Sequence, residues 1–157
     1  MQPNLRAAVV RSIRRRVDLD EYRAIRQLWI AHSIAEDAHD IPGLMATLTE
    51  DCVYTVANTG TSWQGKPGAT QFYQQLLTAF PDIHFDLQNI VIGPQGVFEE
   101  AFVTGTYQAQ WLDMPTPGGQ RVEFAVTILF PWSPKQHLFT GERIYFYMKS
   151  IAYPESS

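Results

Sequence analysis

A chain of 157 residues, 45% of them apolar, makes one domain that buries its own core, and no stretch approaches the roughly 20 apolar residues that span a bilayer. The net charge of −4 is uneven: Arg6, Arg11, Arg14, Arg15 and Arg16 stand without an acid in residues 1–17, and seven basic face sixteen acidic side chains in the rest. An acidic body argues against nucleic acid as a partner, and the lone Cys52 forms neither an intrachain disulfide nor a cysteine zinc site.

Residues 1–17 read as a basic N-terminal extension, LRAAVVRSIRRRV. It could form a short amphipathic helix with the Arg-rich, acid-free make-up of a transit peptide or membrane-surface segment, although a solvated extension is the plainer reading. No stable membrane insertion follows, and a cytoplasmic location is expected. Residues 18–152 form the single domain and 153–157 a tail. Asp18 or Asp20 caps a first long helix whose buried face carries Tyr22, Ile25, Leu28, Trp29, His32 and Ala35 at spacings of three and four. Asp40 before Ile41-Pro42 reads as the cap of a short second helix through Leu44, Met45 and Leu48. Residues 52–57, CVYTVA, read as a first strand closed by Asn58-Thr59-Gly60, with Cys52 in the core. A third helix runs from about Pro67 to Ala79 and buries Phe72, Leu76 and Phe80.

From Asp82 onward strands alternate with turns at 93–96, 115–119 and 131–134, which predicts an antiparallel meander. Helices first and strands second give an α+β fold, with three N-terminal helices on one face of a strongly curved, mostly antiparallel sheet whose open end is a pocket.

Several segments in order carry a resemblance. EDAHDIPGLMATLTEDCVY (36–54), Trp63-Gln64-Gly65-Lys66, the Phe80-Pro81-Asp82 segment, Gly105-Thr106 and the turn Pro115-Thr116-Pro117-Gly118-Gly119 before Val122 and Phe124 resemble the SnoaL-like branch of the nuclear transport factor 2-like superfamily. The likeness spans Leu19 to Ile151 and implies a cone-shaped α+β barrel. It also implies polyketide cyclase or isomerase chemistry, in which polar groups inside an apolar cone stabilise an enolate or alkoxide.

By that resemblance His32 falls near the first-helix tyrosine of ketosteroid isomerases. The closing strand of the cyclases ends Tyr-x-Asp, and the matching residues here are Tyr145-Phe146-Tyr147, so Tyr147 replaces the acid/base aspartate. On that strand Arg143, Tyr145, Tyr147 and Lys149 share one face by alternation, and Glu142, Ile144, Phe146 and Met148 the other. With the tyrosines turned inward, Ile144, Phe146 and Leu129 fall outside and predict a homodimer through the outer sheet face. Two further positions that are polar in relatives are Tyr107 and Ile128 here. An epoxide-hydrolase reading keeps Tyr54 but meets Val56 where an asparagine is needed, and lacks the last aspartate.

The expected catalytic set is therefore His32 as acid/base, with Tyr147 and Tyr54 as donors to an oxyanion. Trp29, Trp63, Tyr107, Trp111, Tyr145 and Ile128 are expected to line a pocket for a small apolar or aromatic molecule. No metal spacing, phosphate loop, nucleophile elbow or dinucleotide fingerprint occurs, so the expected chemistry uses no cofactor. Two readings follow: an enzyme that cyclises or isomerises a small apolar carbonyl compound, or a non-catalytic binding or assembly module.

Overall fold

A computed structural model describes residues 5–152. The elements run α1 (Leu5–Ile13), α2 (Leu19–Asp37), α3 (Ile41–Ala46), β1 (Leu48–Val56), β2 (Thr61–Gln64), α4 (Gly65–Ala79), β3 (His84–Gly93), β4 (Gly96–Tyr107), β5 (Gln120–Ser133) and β6 (Leu138–Ala152). The strands make one sheet in the order β2-β1-β6-β5-β4-β3, with β1 parallel to β6 and the other neighbours antiparallel. This is the α+β cone expected from the sequence. The proposed tail, 153–157, lies outside the described residues.

Local chemistry sets the boundaries. The Asp18 carboxylate accepts the Glu21 N–H at 2.8 Å and starts α2, and Asp40 accepts the Gly43 N–H at 3.0 Å and starts α3. Leu48, expected in the second helix, instead opens β1, which begins four residues before the expected Cys52. Trp63 belongs to a short strand to which the sequence reading gave no element, because β2 pairs in register with β1, Tyr54 opposite Trp63. The arm carries α1 and folds back on the body: Arg15 bonds the Pro94 carbonyl and Glu21, and Gln95 Nε2 donates to the Ser12 carbonyl at 2.7 Å.

The core sits between α2, α4 and the inner sheet face. Its strand positions alternate as period-2 geometry requires: Cys52, Tyr54 and Val56; Val97, Glu99, Ala101 and Val103; Ile128 and Phe130; Glu142 and Ile144. On β6 this reverses the expected orientation. Tyr145 and Tyr147 are 47% and 73% exposed on the outer face, whereas Ile144 is buried and Phe146 lines the interior. The apolar face of the strand goes to the core, and Glu142 goes with it. Gly141, at φ +128°, allows this, because a Cβ there would overlap the Val53 carbonyl oxygen where β1 and β6 slip register.

Candidate functional site

The helical stripe of α2 points Ile25, Trp29, His32 and Glu36 at the sheet, one every three or four residues. His32 is 1% exposed and hydrogen-bonded at both ring nitrogens. Nδ1 lies 2.7 Å from Thr47 Oγ1, and Nε2 lies 3.0 Å from Glu142 Oε1. Tyr54, opposite Glu142 in the parallel β1–β6 pair, donates its hydroxyl to the same Oε1 at 2.9 Å, and Tyr73 from α4 donates to it at 2.7 Å. Three side chains thus converge on one oxygen of a carboxylate that is 3% exposed.

Thr47 lets His32 change its proton count without losing a bond. Its hydroxyl also lies 2.7 Å from the Leu44 carbonyl. With a neutral ring the Thr47 O–H donates to Nδ1, and with a doubly protonated ring Nδ1–H donates to Oγ1 while the O–H turns to Leu44. Nε2–H donates to Glu142 in both states.

Two more glutamates face inward. Glu99 lies opposite Ile128, which lies opposite Ile144, so it belongs to the inward row of the sheet. Its Oε2 accepts the Trp29 indole N–H at 3.3 Å, while its Oε1 is buried without a hydrogen-bond partner. Burial, then the neighbouring Glu142, pushes its carboxyl up to about 7, against the pull of the Trp29 bond. Glu36 keeps some exposure as a residue, but its carboxyl is enclosed. Burial, and then Glu142, Glu99 and Asp37, hold it well above the usual carboxylate range. Tyr54 and Tyr73 are likewise raised, by burial first and the Glu142 charge second.

Above this polar floor lies a partly open cavity with about 60 Å³ of inner space, so that a larger molecule seated in it reaches out through its mouth. Its walls are apolar, with Phe72, Phe80, Trp111, Phe124, Ile128 and Phe146 prominent, and Glu36 and Glu142 reach it. Of the expected site residues, Trp111 and Ile128 line the cavity, and His32 and Tyr54 stand behind Glu142. Trp63 stacks on Trp111 with ring centroids 6.3 Å apart, and Tyr107 stacks on Phe80 while its hydroxyl accepts the Trp111 N–H. Trp29 sits on Glu99. Tyr145 and Tyr147 lie outside, so neither contacts the cavity and Tyr147 does not stand in for an inward aspartate. The inward acid of the closing strand is Glu142.

Sequence reading passed over Glu142, Glu36, Glu99 and Tyr73. The signal for three of them was present: Glu142 and Glu99 break otherwise apolar strand faces, and Glu36 continues the His32 stripe by one turn.

The model of the SnoaL-like domain matches residues 28–132, which includes His32, Tyr54, Tyr73, Glu99 and the cavity walls of β4 and β5. The chain belongs to the SnoaL-like family. No curated protein sequence matches it. Solved structures that resemble this SnoaL-like protein include one assigned as a SnoaL-like polyketide cyclase from Jannaschia sp., at TM-score 0.70 and 16% identity over 86% of this chain and 92% of that one. A second, similarly assigned, from Shewanella denitrificans gives 0.68 at 14% identity over 78% and 90%. A match of another kind, an LEH-like epoxide hydrolase from M. tuberculosis, gives 0.63 at 18% identity over 81% and 85%. At these identities the likeness is one of fold.

Proposed function

We propose that this SnoaL-like protein is a cofactor-independent enzyme that isomerises or cyclises a small apolar carbonyl compound, with Glu142 as the base. The observation that carries this is the convergence of His32, Tyr54 and Tyr73 on Glu142 Oε1 at the inner end of an apolar cavity. Oε1 is saturated with donors, so Oε2 is the oxygen with capacity for a proton taken from the carbon beside a carbonyl. His32 holds the carboxylate in place through its Nε2–H. Tyr54 is a positioning residue in this reading, because its O–H is committed to Glu142. A carboxylate reaching the cavity favours this reading over a non-catalytic module, which rested on Tyr147 in place of an aspartate and on Tyr107 and Ile128 in place of polar groups.

Turnover tests the assignment. Against a panel of cyclic enones and aryl ketones, Glu142→Gln is expected to lower kcat by about 10²- to 10⁴-fold, and Tyr147→Phe to leave it unchanged. The reverse order overturns the assignment.

The protein further associates as a homodimer through the outer sheet face in this reading. The support differs from that expected from sequence: Ile144 and Phe146 turn inward, but Val91, Phe98, Phe102, Tyr145 and Tyr147 are exposed, and Leu129 lies between Phe98 and Arg143 in the outer row. Light scattering is expected to give twice the chain mass, and Phe98→Glu with Tyr147→Glu to give a monomer. Among the described residues no helix is long and apolar enough to cross a membrane.

A further inference from the structure

The charged side chains that reach the cavity are Glu36 and Glu142, with no lysine, arginine or histidine among its lining residues. An enolate formed there carries the negative charge that Glu142 gives up on taking the proton, and no basic side chain of the lining faces it. The donors of that floor are committed: Nε2–H of His32 and the hydroxyls of Tyr54 and Tyr73 all meet Glu142 Oε1. A separate observation points the same way. Glu99 is 2% exposed, faces inward in the Glu99–Ile128–Ile144 row whose other members line the cavity, and leaves Oε1 without a partner. A buried acceptor in this state costs on the order of 1–3 kcal/mol.

We infer that the cavity takes a slender apolar molecule bearing a protonated amine, whose ammonium group is held by the carboxyls at the cavity floor. This deepens the reading above and rests on its choice of cavity: the carbonyl substrate is one that also carries a basic nitrogen. An ammonium offers three donors and a positive charge where the floor offers acceptors and negative charge, and aromatic walls favour a cation further. The same charge stands beside an enolate as it forms, supplying from the substrate what no basic side chain of the lining supplies. Carboxylates and phosphates are excluded by like charge.

The titratable groups that face one another come from five elements: His32, Glu36 and Asp37 on α2, Glu99 on β4, Glu142 on β6, and the phenols Tyr54 on β1 and Tyr73 on α4. Glu36 and Glu99 hold protons more tightly than ordinary carboxyls, and a bound ammonium displaces them. Affinity therefore rises with pH through about 7, the Glu99 value.

Calorimetric titration of the whole protein with benzylamine, benzyl alcohol, acetophenone and benzoate tests this. Benzylamine is expected to bind at least about tenfold more tightly than the other three above neutral pH. Its affinity should rise between about pH 6 and pH 8, with a heat that depends on the buffer because protons are released. Glu36→Gln and Glu99→Gln are each expected to weaken benzylamine about tenfold, and Glu99→Gln carries the comparison if circular dichroism shows that Glu36→Gln is unfolded. Benzylamine binding no tighter than benzyl alcohol, or undiminished in the folded variants, overturns the inference. Acetophenone binding without benzylamine binding overturns it too while sparing the acid/base reading. Tight benzylamine binding beside a Glu142→Gln variant with full turnover sustains it while sinking that reading.

Discussion

Glu142→Leu is expected to lose about 3–5 kcal/mol of unfolding free energy near neutral pH. Leucine fits the space but accepts nothing, so Nε2–H of His32 and the hydroxyls of Tyr54 and Tyr73 lose their shared acceptor, all within a site 0–3% exposed. One compensation opposes this. Removing the Glu142 charge relieves its repulsion of Glu36 and Glu99. That gain is the smaller, because burial is the first cause of both raised carboxyls and the Glu142 charge only the second. Glu142→Gln retains an acceptor oxygen and should cost only about 1–2 kcal/mol. Urea denaturation of the two variants separates these outcomes, and a leucine variant within about 0.5 kcal/mol of wild type would show that the three donors do not depend on Glu142.

The second large effect is a pH dependence. Glu99 has a carboxyl raised from 4.5 to about 7 in the fold. The folded state therefore binds a proton that the unfolded chain has released, and the stability tied to that proton is complete below about 4.5 and is lost as pH rises through about 7. A shift of this size corresponds to roughly 3 kcal/mol. Glu99→Gln carries no charge to bury and keeps an oxygen for the Trp29 indole N–H. It should match wild type below the window and exceed it by roughly 3 kcal/mol above. Glu36 is shifted in the same direction, in part by the Glu99 charge, so the difference between the two curves reports Glu99 together with the relief its removal gives Glu36. Parallel curves for the two proteins across this range, followed by thermal or urea unfolding, would show that Glu99 is not held protonated.

Much of the fold was legible because its signals are local. The Ile25–Trp29–His32 stripe, the Asp18 and Asp40 caps and the turns at 93–96 and 115–119 are decided within a few residues and stand where the spacing placed them, whereas the turn expected at 131–134 lies after Ser133, because β5 runs on through Pro131 and Trp132 in register with its neighbours. The short strand around Trp63 was not, because four residues become a strand only when β1 lies alongside. The site was legible in half. His32 followed from helical spacing, Tyr54 and Ile128 from positions compared with the family, and Trp111 from the aromatic residues expected around the pocket. Glu142 was missed because a Tyr-x-Asp pattern was laid on Tyr145 and Tyr147 in place of the physical reading of the strand. The face carrying Ile144 and Phe146 is the one that leaves water, and an acid on that face is a buried acid. Tyr73 gave less to read, since it adjoins Phe72 on α4 and both are buried; that its hydroxyl reaches Glu142 depends on a contact 69 positions away in sequence.

Deuterium uptake from heavy water at the carbon beside the carbonyl of phenylacetone, followed by proton NMR, tests the central claim most directly, because it detects proton abstraction by Glu142 before the natural substrate is known. The account predicts that wild type accelerates the exchange above the buffer rate, that Tyr147→Phe does so equally, and that Glu142→Gln returns it to background. Exchange that persists in Glu142→Gln would contradict it.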